Sequence, residues 1–294
     1  MRVPDSFMHG TMNSALMKSN AGLNKVFHQI STGKELLYPS DNPVGTVKLQ
    51  NLQSTISTQE TYATNIKNVE TRLGLYETHL GSLSSITLDA KDLLLQARNG
   101  NLDAESREGI VRELESLKDE FLSVANTKQD GSYLFSGSAI NTPAIGVSPP
   151  YTHQGNYDTR ETIVGDGVDM VSNITLDDVF GGADFLNLLD TALVEMQTNG
   201  ANMDQAISDA LEATDAVYSR VNATISTVGS RQNNLERMYD VNMDTNLYMD
   251  VMRGEIEDLD YAEASVRMQQ HMMTLQASQT TFMQLTNLSL FRML

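Results

Sequence analysis

Residues 66–97 read IKNVETRLGLYETHLGSLSSITLDAKDLLLQA, and this stretch decides the fold. Ile66, Val69, Leu73, Tyr76, Leu80, Leu83, Thr87, Ala90, Leu94 and Ala97 recur at steps of three and four. That period keeps one face of a helix against a partner helix. Toward the N-terminus, Leu49, Leu52, Ile56, Gln59 and Tyr62 continue the pattern, and only the step from Gln59 to Tyr62 breaks the alternation, as a stammer does. The spacing predicts one helix from about Val44 to Arg98, stopped by Asn99-Gly100, residue types that favour left-handed backbone.

Prolines and glycines bound what lies on either side. The six prolines are Pro4, Pro39, Pro43, Pro143, Pro149 and Pro150, so two long stretches are free of helix breakers. Before the Pro39–Pro43 break, Met12, Leu16, Ser19, Leu23, Val26 and Ile30 predict a first helix with the same seam spacing. Asp103 is placed to cap a third helix with its seam at Ile110, Leu114, Leu117, Phe121 and Val124. Eight of the 19 glycines fall between Gly131 and Gly182. There Glu161–Val164 and Met170–Thr175 carry strand-type residues, and Tyr133 and Phe135 share a face if that segment is extended. Helical spacing returns at Phe185, Leu189, Ala192 and Met196, and then runs from Ile207 through Leu211, Val221, Val228 and Leu235 to Tyr239. A last helix carries Ile256, Leu259, Val266, Met272, Leu275, Phe282 and Leu285.

The expected fold is mainly α: a long antiparallel helical coiled-coil bundle with paired N- and C-terminal helices and a small β-rich insertion at its tip. Methionine supports the pairing, with four of the 16 in residues 1–17 and none between Lys18 and Asp169. Methionine fills irregular apolar gaps, so the first and last helices are expected to share a core. The division this implies is an inner terminal-helix domain of residues 1–42 plus 255–294, a long bundle of 43–138 plus 183–254, and an outer insertion of 139–182.

Composition removes whole classes of function. There is no cysteine, hence no disulfide scaffold, thiolate metal site or thiol nucleophile. The formal charge of −18 argues against nucleic acid, whose phosphates call for clustered Lys and Arg. No apolar run approaches the ~20 residues of a membrane span or the roughly 7–15 of a signal-peptide core, so neither membrane insertion nor a cleavable leader is expected. The five histidines form no metal pair, Gly165-Asp166-Gly167 is not followed by a helix pattern, and Asp166/Asp169 and Asp177/Asp178 read as solvated acidic turns. Glu255, Glu257, Asp258, Asp260 and Glu263 read as an acidic helix start favoured by the macrodipole. No catalytic, cofactor or metal site is expected.

The seams carry the information instead. The first helix contains Asn13, Asn20, Gly22 and Asn24, and Gly costs ~1 kcal/mol relative to Ala in a helix. Such a helix needs a partner for its apolar stripe, either the last helix or other copies of the chain. Met12, Leu16, Leu23, Val26 and Ile30 with Met272, Leu275, Phe282 and Leu285 are the candidate assembly seams.

Three segments resemble the flagellin family. Ile30–Glu35 through Pro39-Ser40-Asp41-Asn42-Pro43 resembles the family's N-terminal ISTGKR…SDDP segment, with Glu35 where the family usually carries a basic residue. Glu257-Asp258-Leu259-Asp260-Tyr261-Ala262-Glu263-Ala264 resembles its ED-x-DYAEA element, and Leu275–Ser278 and Leu288–Phe291 its LQAS and terminal LSL elements. Asp130-Gly131-Ser132-Tyr133-Leu134-Phe135-Ser136-Gly137 is similar to the DGxYLFSG element of the family's hook–filament junction branch. Ser40, Asp41, Pro43, Gly131, Tyr133, Phe135, Gly137, Asp260 and Ala262 are the motif positions matched.

The resemblance implies a structural subunit and not an enzyme, with no cofactor. It implies a ring of copies between the first hook-associated protein and the flagellin filament, outside the cell. It also implies export without a cleavable signal through the flagellar type III channel, with a cytosolic chaperone on the C-terminal helix. A short flagellin that builds filament and a coiled-coil interaction protein unrelated to flagella are the alternatives.

Overall fold

The computed structural model describes residues 3–99 and 103–291. Helices account for most of the chain: α1 (Val3–Thr32), α2 (Pro43–Arg98), α3 (Ala104–Ala125), α4 (Leu176–Phe180), α5 (Asp184–Thr198), α6 (Met203–Glu257) and α7 (Tyr261–Phe291). Two antiparallel hairpins interrupt them, β1 (Lys128–Gln129) with β2 (Ser132–Tyr133) and β3 (Glu161–Gly165) with β4 (Val168–Val171). The mainly helical fold class stands.

Two compact units form, residues 59–243 and residues 1–58 with 244–294. The insertion has no core of its own: Ile145, Tyr151, Val164, Ile174 and Val179 belong to the same buried cluster as Leu73, Leu80, Leu114 and Leu211. Along α2 the units divide at Thr58/Gln59, where the seam spacing slips.

In the larger unit α2 and α6 run antiparallel, with Ser84 Oγ 3.4 Å from Asn222 Oδ1 and Gln232 Nε2 3.1 Å from Glu77 Oε2. The expected seam is the buried one: Ile66, Leu73, Leu80, Leu83, Thr87 and Leu94 have no exposed surface. Thr87 is tolerated there because its hydroxyl donates to Leu83 O at 2.6 Å, and Thr214 does the same to Ala210 O at 2.6 Å. The α3 N-terminus is capped as expected, Asp103 Oδ1 accepting from Ser106 N at 2.9 Å. Phe121 of α3 packs on Phe185 and Phe180, with ring centroids 5.2 and 4.9 Å away. Asn199 ends α5 in the left-handed conformation, as the Asn-Gly reading requires.

The insertion is less β-rich than expected. Between Ile140 and Arg160 it is irregular backbone held by amide side chains. Asn126 exchanges bonds with the N–H and C=O of Ile145 at 3.0 and 2.9 Å, and Asn187 does so with Tyr151 at 2.8 and 2.9 Å. Helix α4 is fixed by Asp178, whose carboxylate accepts from Thr175 N and Oγ1, and Gly181 ends it at φ +65°. The Asp178 carboxylate is thus a cap, and among the described residues no cluster of carboxylates and histidines is disposed to hold a metal.

Candidate assembly site

Two clusters of motif residues organise the two units, and neither is catalytic in form. In the terminal unit, α1 ends at Gly33, whose φ of +71° is the conformation glycine adopts most readily. The following residues pair with the segment entering α7: Lys34 and Asp258 form an antiparallel bridge, Glu35 N donates to Glu257 O at 2.8 Å, and Leu259 N donates to Gly33 O at 3.0 Å. Asp260 caps α7, its carboxylate accepting from Ala262 N at 2.8 Å and Glu263 N at 3.2 Å. The acidic run is therefore divided, with Glu255 and Glu257 ending α6 and Asp260 and Glu263 starting α7.

Side chains reinforce this joint. Buried Gln29 donates to Glu35 O at 2.7 Å, and Lys34 pairs with Glu257. Glu35 lies 3.5 Å from Arg267 Nη1 on α7, so the acid at this departing position faces a cation in its own chain. Asp41 takes a 2.7 Å bond from Lys25 Nζ, which holds its carboxyl below the usual range. Pro43 opens α2, and Asn42 Oδ1 accepts from Gly45 N at 2.9 Å. Ser40 is exposed.

Helices α1 and α7 pack antiparallel, as the pairing of Gly22 with His271 and of Gly33 with Leu259 shows. Val26 is buried with Leu259 and Ala264, and Ile30 and Met268 pack against them. Met12, Leu16 and Leu23 are half-buried on the same side of α1. On α7 the inward positions are Ala264, Met268, His271, Leu275 and Phe282, and Met272 is 54% exposed. Of the expected α7 positions Leu275 and Phe282 are half-buried, whereas Val266 and Met272 are exposed and Met268 and His271 take the inward places between Ala264 and Leu275. The side chain of Leu285 lies outside the described residues.

Apolar surface is distributed unusually in this unit. Among its described residues, four apolar side chains are buried, Val26, Ile56, Leu259 and Ala264, and fifteen large ones are exposed. The exposed set includes Phe7, Met17 and Phe27 on α1, Leu247, Tyr248 and Val251 on α6, and Met272, Met273 and Met283 on α7. Among the described methionines of the paired helices, Met12 and Met268 are half-buried and Met17, Met272, Met273 and Met283 look outward.

The second cluster is built on residues 130–137. Asp130 and Gly131 both have positive φ, +51° and +80°, and close the tight β1–β2 turn. Phe135 is fully buried, edge-on to Tyr76 at 5.4 Å, and Tyr76 Oη donates to Leu134 O at 2.6 Å. Gly137 sits so close to Asn156 that a β-carbon would lie 2.2 Å from its Oδ1. Arg160 clamps the turn, donating to Gly137 O from Nη2 at 2.7 Å and Nε at 3.2 Å. Tyr133 is half-buried under the Lys128 ammonium, 4.5 Å from its ring centroid.

Residues 6–140 match the bacterial flagellin N-terminal helical region, and residues 211–294 match the bacterial flagellin C-terminal helical region. A solved structure described as a flagellar hook-associated protein from Vibrio parahaemolyticus is 32% identical, covers 74% of this chain and 100% of its own, and superposes with a TM-score of 0.71. The flagellar hook-associated protein 3 of Escherichia coli is 26% identical over 100% of this chain and 99% of its own. The chain belongs to the flagellin family, in its hook-associated protein 3 branch. A crystal structure of hook-associated protein 3 from Legionella pneumophila, 16% identical with a TM-score of 0.62 over 70% of this chain and 98% of its own, shares the fold.

Flagellin-family membership makes this a structural component of the bacterial flagellum, associated with other flagellar parts, and not an enzyme. The family's motifs then have physical meanings in this chain. The N-terminal motif and Asp260–Ala262 make the α1–α7 joint, and the 130–137 motif locks the insertion to α2. Sequence reasoning missed Arg267, His271 and Gln29. Extending the three-four spacing from Ala264 through Met268 would have found His271.

Proposed function

We propose that this chain is a junction adaptor, assembled as a ring between the first hook-associated protein and the flagellin filament. The observation that carries the reading is the terminal unit, which among its described residues buries four apolar side chains and leaves fifteen large ones exposed. Such a unit gains its stability when neighbouring copies or flagellar partners cover those faces. The 130–137 motif favours the junction over the filament. Export through the type III channel without a cleavable signal, with a cytosolic chaperone on the C-terminal helix, belongs to the same proposal. Among the described residues no helix is long and apolar enough to cross a membrane.

Labelled antibody on isolated hook–basal-body–filament assemblies tests the reading. A band confined to the junction is the expected result. Label along the whole filament would make the chain a short flagellin, and label absent from the appendage would overturn both.

A further inference from the structure

A cleft of about 430 Å³ opens between α2 and the β1–β2 hairpin, lined by Asn68, Thr71, Arg72, Ser132, Tyr133 and Arg160 among others. Its charge runs against the rest of the chain, which carries 38 acidic and 20 basic residues. The Lys128 ammonium stands over the Tyr133 ring that lines the cleft, adding a third cation to Arg72 and Arg160. Among the described residues, none of these three has a carboxylate within 4.0 Å, although the chain forms nine other ion pairs. Burial pushes the Tyr76 hydroxyl up, and the positive charges of Arg160 and Arg72 oppose that shift, so both guanidinium groups act on the same small volume. Arg160 is also pre-positioned, because its two bonds to Gly137 O fix the plane of the guanidinium. Asp130 is the one acid on the lining, and the left-handed turn holds its backbone.

We infer that this cleft is the positive half of a contact between copies of the chain, taking side-chain carboxylates from the next copy. The occupant follows from charge. Copies at −18 each repel, so close approach is favoured where an acidic face meets an unpaired cationic one. A ring of identical copies also needs two different, complementary surfaces on each copy, and a cationic cleft on an acidic chain supplies such a pair. Guanidinium groups flanked by hydroxyl and amide donors suit carboxylates in particular. The inference rests on the ring reading for its geometry.

Two measurements test it. Thr71 is replaced by photo-reactive benzoylphenylalanine, and assembled flagella are irradiated. The expected product is a covalent dimer of this chain, with the bridge mapped to an Asp- or Glu-bearing peptide of the second copy. Cross-links only to another protein, only within one chain, or none would overturn the inference. In parallel, Arg72→Glu should lower assembly of the purified chain about tenfold or more with thermal unfolding unchanged, and Arg72→Lys should retain most of it. Wild-type assembly by Arg72→Glu would also overturn it. A chain at the junction that gives no self-cross-link defeats this inference alone, whereas a chain absent from the junction defeats the adaptor reading.

Discussion

Gly22 of α1 lies against the His271 imidazole of α7 so closely that a β-carbon would come 2.5 Å from its Cε1. Ser19 Oγ, one turn earlier, donates to His271 O at 3.3 Å. Helical glycine costs ~1 kcal/mol relative to alanine, so Gly22→Ala would strengthen α1 as an isolated helix. In the pair it forces the imidazole aside. We expect Gly22→Ala to weaken assembly by about tenfold, the equivalent of ~1.4 kcal/mol. Adding His271→Ala should restore it. Sedimentation of wild type and both variants reads this directly, and a Gly22→Ala chain that assembles better than wild type would contradict the packing.

The scarcity of buried apolar side chains around α1 and α7 has a dynamic counterpart. In the free monomer, amide hydrogens of residues 12–30 and 261–283 should exchange quickly, and those of residues 66–97, on the buried seam, slowly. Assembly should protect the terminal segments. Strong protection of residues 12–30 in the monomer would show that α1 and α7 need no further partner.

Tyr76 and Phe135 hold the 130–137 turn on α2. Tyr76→Phe leaves the Leu134 carbonyl without its 2.6 Å donor in a buried place, at a cost of about 1–3 kcal/mol. Phe135→Ala empties a fully buried ring site and should cost about 3–5 kcal/mol. Urea unfolding of the larger unit measures both, and equal midpoints for the three proteins would rule the clamp out.

Acid should loosen the insertion through His153. Burial holds its imidazole below the usual value, with Asp177 opposing in part, and its Nε2 is buried with no hydrogen-bond partner among the described residues while the ring stacks on Tyr157 at 4.3 Å. The native state therefore favours the neutral ring. Stability is undiminished above the unfolded-state value of about 6.5. It falls as pH drops through that value, because the unfolded chain takes up the proton more readily, and the loss levels off below the folded value. The difference in urea midpoint between wild type and His153→Gln should shrink or reverse between pH 7.5 and 5.5, and a pH-independent difference would count against it.

Charge repulsion among copies predicts a salt effect. The screening length falls from ~10 Å at 0.1 M salt to ~3 Å at 1 M. Assembly of the purified chain should rise over that range, and light scattering that is flat with salt would show that the −18 charge is already neutralised in the contacts.

The helices were legible where one physical cause dominates. The α2 seam announces itself because a strict three-four period has one interpretation, and the caps at Asp103 and Asn199 follow from side-chain and backbone chemistry a few residues away. The insertion was less legible because Asn126 and Asn187 replace strand pairing there, and an amide bonded to backbone nineteen or thirty-six residues distant leaves no local period. Which side of α7 Met272 occupies was illegible for another reason. Val266, Met272 and Met273 put apolar residues on the outer face of α7 as well, so composition alone did not distinguish the side that meets α1 from the side left open.

The backbone ties between Gly33–Glu35 and Glu257–Leu259 join stretches more than two hundred residues apart. In a chain that emerges from a ribosome one residue at a time, the Gly33–Glu35 half of that tie must wait more than two hundred residues for its partner. A product cut short before residue 257 has the complete first partner and none of the second. Closing the terminal unit therefore reports whether residues 257–259 have arrived, and a chain cut before them lacks the joint.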